Sequence, residues 1–290
     1  RLMVKRQRPF LLKMGLRCRW LLAAHAPHML ETRDLTIRFG GHVAVNAVSC
    51  AFAPGTLTAI VGPNGAGKTT YFNLISGQLR ASAGTVTLGG QDLTGQSPSA
   101  RTRAGLGRAV QLTNLFPGLS VPENVRLAVQ ATRAGAHRRG LNLWSIWSDH
   151  RALTERAEAI LHTVSMLERR DTPVASLPHG DQRKLEVALL MALEPQVYMF
   201  DEPTAGMGHD EAPVILNLIR ELKTDKTKII LLVEHKMDVV RELADRIIVL
   251  TNGTLVADGA PAEVIASPVV QEAYLGISKD AAKDADKEAA

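Results

Sequence analysis

The residues best suited to chemistry in this sequence form one short run, 62–70, with the spacing G-x-x-x-x-G-K-[ST]. Its members are Gly62, Pro63, Asn64, Gly65, Ala66, Gly67, Lys68, Thr69 and Thr70. Such glycines let successive backbone N–H groups converge on phosphate oxygens. In this spacing Lys68 reaches the β- and γ-phosphates, and the Thr69 hydroxyl ligates Mg²⁺. This run, called the phosphate loop below, predicts binding of a nucleoside triphosphate.

The sequence on either side of the loop favours this interpretation over a Gly-rich turn that merely contains a lysine. Residues 57–61 form an apolar run typical of a buried strand, and 71–79 have a helical pattern. A helix in this position offers its N-terminal donors and positive dipole end to the same phosphates. Strand, loop and helix in this order are the context that the motif requires.

A second chemical element is the acid pair Asp201 and Glu202, which follows the apolar run 197–200. In an open α/β sheet, a carboxylate at the carboxyl end of a strand lies near the phosphate loop and can hold Mg²⁺. Glu202 can then polarise an attacking water as a general base. Taken alone, such a pair could equally be a solvated turn. The buried-type residues before it and the phosphate loop elsewhere favour catalysis.

The secondary-structure elements that must position these residues have two different sequence patterns, one typical of strands and one typical of helices. Residues 30–61 alternate like short strands with turns at 40–41 and 54–55, which predicts antiparallel β structure. Residues 98–107 and 122–170 have mainly helical patterns, which indicates a helical insertion. Strands and helices alternate again from 197. The fold class is therefore α/β, with a mostly parallel, helix-covered sheet after an antiparallel part.

The two ends differ in composition from the main domain, predicted at 29–276. Residues 1–28 contain seven Lys or Arg and no acid, a composition typical of a transit peptide or a membrane-surface segment. They lack a small-residue cleavage site and a clean amphipathic period, and the strand pattern begins at Met29, so we predict a non-native or dispensable extension. Residues 277–290 are almost entirely Ala and charged, which predicts a disordered tail.

Charge and hydropathy exclude some classes of function. Without residues 1–28, the chain has 27 basic and 29 acidic residues, so a nucleic-acid surface is not expected. No window approaches 18 consecutive apolar residues, which predicts no membrane-spanning helix.

A third stretch makes a family resemblance specific. It comprises Leu177, Pro178, His179, Gly180, Asp181 and Gln182, called the signature segment below. Together with the phosphate loop and the acid pair, it resembles an ABC transporter ATP-binding subunit, over about residues 30–276. The resemblance implies a P-loop ABC ATPase fold with a helical subdomain at about 98–190, and ATP and Mg²⁺ as ligands. In that family this segment closes over the γ-phosphate bound by the other subunit of a head-to-tail dimer.

The resemblance also assigns three single residues. Phe39 matches the aromatic residue that stacks on adenine, with core packing as the alternative. Gln111 matches the glutamine that contacts Mg²⁺ and joins the helical insertion to the core. His235 follows the apolar run 229–233 and matches the histidine that senses the γ-phosphate.

Two departures from the family pattern suggest unequal sites. Pro178 stands where the family usually has serine, which removes a hydroxyl donor and a backbone N–H. Gly208 stands where an aspartate normally crosses the dimer interface. We expect the site that this signature segment forms with a partner's phosphate loop to be the weaker one, which suits a heterodimer.

Several runs resemble the ATPase subunits of bacterial branched-chain amino-acid importers, including 38–41, 112–116, 180–186 and 233–240. The resemblance implies a second, different ATPase subunit, two integral membrane permease subunits and, indirectly, a periplasmic binding protein. It also implies a location at the cytoplasmic face of the inner membrane. Trp144 and Trp147 would share one helix face, either in a small satellite core or against a membrane subunit.

Other functions remain open at this point. An importer for another solute, such as urea or short amides, would have the same ATPase motifs. A non-transport ABC ATPase usually has two ATPase units, a long coiled coil or a basic surface, none of which this sequence shows. A P-loop kinase would leave the signature segment unexplained.

Overall fold

The computed structural model of the 290-residue chain describes residues 29–109, 115–136, 150–208, 210–268 and 270–271. Five sequence predictions lie wholly outside these residues: the extension at 1–28, Gln111, Trp144, Trp147 and the tail at 277–290. Within the described parts of the chain, no helix is both long enough and apolar enough to cross a membrane.

The chain begins with an antiparallel sheet. Its strands are β1 (Leu30–Phe39), β2 (His42–Phe52), β4 (Ala83–Leu88) and β5 (Gln91–Asp92), in the spatial order β2-β1-β4-β5. The hairpin of β1 and β2 turns at residues 40–41, and Phe39 pairs with His42 across it. The alternating pattern predicted antiparallel structure for 30–61, and this is correct for 30–52. It was wrong for 57–61, which pair in parallel in the second sheet, because strand direction depends on partners far along the chain.

A second, six-stranded sheet carries the predicted chemistry. Its strands are β3 (Leu57–Val61), β6 (Leu106–Ala109), β7 (Val197–Asp201), β8 (Ile229–Val233), β9 (Arg246–Thr251) and β10 (Thr254–Gly259), in the order β10-β9-β3-β8-β7-β6. All neighbouring pairs are parallel except β10 with β9. The predicted α/β class with a mostly parallel sheet is confirmed.

Helices cover this sheet and form a separate layer beside it. They are α1 (Lys68–Ser76), α2 (Pro98–Arg103), α3 (Val121–Ala136), α4 (His150–Thr163), α5 (His179–Ala192), α6 (Ala212–Thr224), α7 (Met237–Leu243) and α8 (Pro261–Ile265). Short 3₁₀ turns at Leu167–Arg169 and Val174–Ser176 precede α5. Buried apolar side chains of α3, α4 and α5, such as Val125, Ile160 and Leu185, belong to one cluster.

The helical prediction for 98–107 was wrong at its end. The helix stops at Arg103, and Leu106 to Ala109 form β6, whose Leu106 lies opposite Val197 of β7. Local pattern could not show this, because the run Leu-Gly-Arg-Ala lacks the β-branched and aromatic residues typical of a strand. Its place in the sheet depends on pairing with residues far along the chain.

The core has two parts, one on each face of the parallel sheet. Side chains of β8 alternate between them: Ile229, Leu231 and Val233 belong to one cluster, and Ile230 and Leu232 to the other. Strands covered on both faces are continuously apolar, as the runs before Asp201 and before Glu234 are. Each fully buried Leu or Ile side chain stabilises the fold by about 1.5–3 kcal/mol. The carboxyl ends of these strands are therefore firmly placed.

Candidate functional site

The phosphate loop connects β3 to α1 and leaves the start of that helix open to an anion. Gly67, at the N-cap, has a φ of 93°, and no side chain caps the first N–H groups of α1. The first turn of α1 contains no acid. A Cβ on Gly67 would lie 2.5 Å from the carbonyl oxygen of Ala44, so this position requires glycine. Uncapped donors at a positive helix end are what phosphate binding needs.

Lys68 is folded back over the loop. Its Nζ donates hydrogen bonds to the carbonyl oxygens of Gly62 at 2.6 Å and Pro63 at 3.0 Å. Burial lowers the pKa of Lys68, while the negative charges of Glu202 and Asp201 act in the opposite direction. The ammonium group therefore lies within electrostatic reach of both predicted acids. In this position it can hold the terminal phosphates of a nucleotide.

Asp201, at the end of β7, has a cationic partner that the sequence analysis did not identify. Arg108 of β6 donates from Nη2 to its Oδ2 at 2.8 Å, and both side chains are about nine-tenths buried. Burial lowers the pKa of Arg108, and the Asp201 carboxylate counteracts this. The pair brings β6 and the acid-bearing strand together at one point.

Glu202 and His235 meet at the ends of neighbouring strands. The backbone of Glu202 has a φ of 47°, a left-handed conformation that costs a non-glycine residue about 1–2 kcal/mol. Its N–H donates to the carbonyl oxygen of Val233, the last residue of β8, at 2.9 Å. Both side chains remain partly exposed, with relative exposures of 35% for Glu202 and 54% for His235. They can therefore reach water and a nucleotide.

A second buried acid, Glu234, holds the segment that carries His235. Only 1% of Glu234 is exposed. It accepts hydrogen bonds from the Thr204 hydroxyl at 3.0 Å and from the backbone N–H groups of His235 at 2.8 Å and Lys236 at 3.2 Å. Glu234 thereby links the loop after the acid pair to the loop after β8.

The signature segment leads into α5, with Pro178 as its N-cap. The first turn contains Asp181, which accepts hydrogen bonds from Arg169 at 3.1 Å and Lys184 at 3.0 Å. The Glu211 carboxylate lies against Gly180, where any Cβ would collide with it. Two acids, Asp181 and Glu211, thus lie at the start of α5, with Lys184 Nζ 3.0 and 3.7 Å from them, whereas the first turn of α1 has no acid.

The remaining predicted residues are placed as follows. Phe39, at the end of β1, is 49% exposed, so it is not a core residue within this chain. Thr69, in the first turn of α1, is exposed. Leu177 is buried, whereas Pro178 and His179 are exposed. The Gln182 side chain donates to the carbonyl oxygen of Leu177 at 2.8 Å.

These features can be set beside known proteins. A family model described as ABC transporter matches residues 45–205, which include the phosphate loop, the signature segment and the acid pair. The chain belongs to the ABC transporter family. It is an ATP-binding ATPase subunit of that family, which confirms the resemblance seen in the sequence. A second model, described as branched-chain amino acid ATP-binding cassette transporter, matches residues 254–279.

Two curated ABC relatives are similar over nearly their whole length. The high-affinity branched-chain amino acid transport ATP-binding protein LivG of Escherichia coli (strain K12) is 36% identical over 249 residues, covering 86% of this chain and 98% of LivG. The corresponding protein BraF of Pseudomonas aeruginosa is 34% identical over 249 residues, with the same coverage.

Solved ABC structures have the same fold. A nucleotide-free ATP-binding cassette from an ABC transporter aligns with a TM-score of 0.71 and 27% identity, covering 87% of this chain and all of the other. The ADP conformation of an ATP-binding cassette of an ABC transporter aligns with a TM-score of 0.71 and 28% identity, covering 87% of this chain and 100% of the other.

Sequence reasoning missed three charged residues around this ABC site: Arg108, Glu234 and Glu211. Two of them had a weak signal. Arg108 stands in a short, otherwise uncharged run, and Glu234 follows a strand of five apolar residues, where a charge needs a partner. Nothing in the pattern around Glu211 distinguishes it from an ordinary exposed acid at the start of a helix.

Proposed function

We propose that this ABC subunit hydrolyses Mg·ATP to power the import of branched-chain or related hydrophobic amino acids. The observation that carries the proposed site is the convergence of Lys68, Glu202 and His235. The loop with Lys68 follows β3, and Glu202 and His235 follow β7 and β8, at the same edge of the parallel sheet. His235 Nδ1 lies 3.8 Å from a Glu202 oxygen. The solute is proposed from the similarity to LivG and BraF.

Each of these residues has a defined task in the proposal. Lys68 and the N–H groups of the phosphate loop hold the β- and γ-phosphates. Glu202 takes a proton from the attacking water, and His235 orients the γ-phosphate. Phe39 stacks on adenine, which its exposure permits. Positioning of this kind is the main source of catalysis in phosphoryl transfer.

Thr69 and Asp201 would hold Mg²⁺, and Gln111 is proposed as a further ligand. Among the described residues, no group of three or more His, Cys, Asp or Glu forms a metal cage. This fits Mg²⁺, which usually takes one or two protein ligands and several phosphate or water oxygens. A hydroxyl and a carboxylate are also the hard oxygen donors that Mg²⁺ prefers. The ion would supply charge neutralisation at the β- and γ-phosphates.

We further propose two permease subunits, a second ATPase subunit and a periplasmic binding protein as partners. An apolar groove of about 370 Å³ lies between α3 and α5 and is lined by Phe116, Leu127, Leu189 and Leu193, among others. Phe116 is 55% exposed, and exposed apolar surface of this kind marks contact sites. A helix from a permease subunit is the proposed occupant. Such an assembly places this chain at the cytoplasmic face of the inner membrane.

The test is transport by the reconstituted complex. The chain, its candidate partner ATPase and the permeases would be placed in vesicles with the binding protein, and uptake of labelled leucine and of labelled urea would be measured. We expect ATP-dependent leucine uptake that Glu202→Gln abolishes. Uptake of urea alone would overturn the proposed solute but leave the ATPase assignment intact.

A further inference from the structure

The Arg108 side chain connects the phosphate-loop helix to the acid-bearing strand. Its Nη1 donates to Asn73 Oδ1 at 2.5 Å and to Ser76 Oγ at 3.0 Å, both on α1. Its Nη2 donates to Asp201 Oδ2 at 2.8 Å. The guanidinium group also lies over the Phe72 ring, 5.2 Å from its centroid. Four contacts from two elements, α1 and β7, therefore determine where this cation of β6 lies.

This arrangement restricts how Asp201 can act. The guanidinium group is planar and rigid, with Nη1 bound to α1 and Nη2 bound to Asp201 Oδ2. The carboxylate therefore cannot rotate freely, because rotation would break a charge-assisted hydrogen bond. Asp201 can then offer Oδ1 to a metal ion without losing Arg108. Residues that hold a metal ligand in this way commonly change metal affinity 10–100-fold when they are replaced.

We propose that Arg108 is a positioning residue that orients Asp201 toward Mg²⁺, so that the affinity of the site for Mg·ATP depends on Arg108. The inference rests on the proposed role of Asp201 as a magnesium ligand. A simpler alternative is that Arg108 and Asp201 form a buried ion pair with a purely structural role.

The chain contains a matched control for that alternative. Arg246 and Asp258 form another buried pair, at 2.6 Å, with side-chain exposures of 6% and 7% against 9% and 10% for Arg108 and Asp201. Arg246 also lies over an aromatic ring, that of Phe52, at 5.8 Å. In the sheet, the backbone of Arg246 lies opposite Thr58, near the start of β3. The phosphate loop follows the other end of β3, so this control pair lies away from the proposed magnesium site.

The experiment uses the isolated full chain and a fluorescent ATP analogue. Its dissociation constant would be measured in excess EDTA and across a Mg²⁺ titration for wild type, Arg108→Gln, Arg108→Lys and Arg246→Lys. Thermal denaturation without nucleotide would report stability separately. We expect Arg108→Gln to shift the Mg²⁺ midpoint upward about tenfold or more, with little change in EDTA. Arg108→Lys should give a smaller shift, because lysine keeps the positive charge but lacks the second nitrogen with which the guanidinium group holds α1 and Asp201 together.

Each outcome bears on the proposal. Arg246→Lys should lower thermal stability and leave the Mg²⁺ midpoint unchanged. If both Arg108 variants have the wild-type midpoint, or weaken binding equally with and without Mg²⁺, Arg108 is only structural and the inference is wrong. If Arg108→Gln does not fold, Arg108→Lys decides the question by the same comparison. If wild type itself gains no affinity from Mg²⁺, the proposed magnesium site fails, and the inference fails with it.

Discussion

His235 Nδ1 lies 3.8 Å from Glu202 Oε1 and 3.5 Å from Glu234 Oε2, so one imidazole faces two carboxylates. The parallel register of β7 and β8 brings them together, because Asp201 lies opposite Val233. The residues that follow each strand then come out side by side at the same edge of the sheet. This is the edge where the phosphate loop follows β3.

Replacing Glu202 by glutamine should stop hydrolysis and spare nucleotide binding. Glutamine keeps the shape of the side chain but cannot accept the proton of the attacking water, so we expect turnover to fall about 10²–10⁴-fold. Phosphate release by the assembled complex and binding of a fluorescent ATP analogue would measure the two effects. Glu221→Gln, at an exposed position on α6, is the control. Wild-type turnover in Glu202→Gln would remove Glu202 from the proposed mechanism.

Removing the Glu234 carboxylate should affect both stability and turnover. Glu234→Ala leaves the buried Thr204 hydroxyl and two part-buried backbone N–H groups without their acceptor. A buried unpaired group costs about 1–3 kcal/mol, and the two N–H groups cost less because their residues are exposed. Turnover should fall as well, because the His235 backbone loses its anchor. Thr204→Val, which deletes one of the three bonds, should have the smaller effect. Urea denaturation would measure the change in stability, and ATPase assays would measure the change in turnover. A Glu234→Ala protein as stable and active as wild type would contradict this account.

Two exposed aromatic residues should have separable roles. Phe39→Ala removes the proposed adenine platform, and loss of one stacked base costs about 1–3 kcal/mol, so nucleotide affinity should fall about 5- to 150-fold. Phe116→Asp places a charge in the apolar groove and should prevent co-purification with the permeases. Each variant is the control for the other: Phe39→Ala should still assemble, and Phe116→Asp should still bind nucleotide. If Phe39→Ala fails to co-purify with the permeases and Phe116→Asp loses nucleotide affinity, both proposed roles are wrong.

The signature segment should form the weaker of two sites. Pro178 lacks the serine hydroxyl, and the Glu211 carboxylate lies against Gly180, where it would repel an incoming γ-phosphate. We therefore expect Pro178→Ser and Glu211→Gln to raise ATPase activity in the assembled complex. Glu211→Gln can still accept the Gly208 N–H, now bound at 3.1 Å, so the loop geometry should persist. Unchanged activity and ATP-driven dimerisation in Pro178→Ser would contradict the prediction.

The same asymmetry predicts how the subunits associate. With Mg·ATP, Glu202→Gln should dimerise with its candidate partner ATPase but remain monomeric alone. Size-exclusion chromatography with light scattering would separate these states. A stable ATP-dependent homodimer would mean that Pro178 and Gly208 are tolerated in both sites, and the preference for a heterodimer would have to be abandoned.

Tyr198 should make the protein sensitive to strong alkali. Burial raises the pKa of Tyr198 to about 12, and the Glu194 and Asp225 carboxylates act in the same direction. Because the unfolded phenol titrates near pH 10, this stabilisation is complete below about pH 10 and is lost as pH rises through about 12. The loss is about 2–3 kcal/mol. The Tyr198→Phe variant has no phenol to titrate and should not show this loss of stability at high pH. Urea denaturation of both proteins at pH 8, 9 and 11.5 would test this, with parallel behaviour expected at the two lower values.

Much of the proposed site follows from local sequence. The phosphate loop depends on glycines at fixed spacing between a strand and a helix, so the continuous stretch 57–79 was enough to predict it. Asp201 and Glu202 could be chosen because they follow an apolar run, and parallel strands end at a common edge. His235 was assigned by the family resemblance. The α/β class followed from the same alternation. Periodicity and turn residues act over a few positions and can therefore be recognised without a structure.

Only the tertiary structure decided which distant charges meet. The uncharged run around Arg108 suggested that it needs a partner but not that the partner is Asp201, because the contact requires β6 to add to the sheet beside β7, in a register set by long-range packing. Glu211, the residue before α6, meets Gly180 in the first turn of α5, although the two lie far apart in sequence. Glu234 became recognisable as an anchor once Thr204 was seen beside it. Sequence thus determined which local elements can hold phosphate, and tertiary packing decided which charged side chains hold those elements in place.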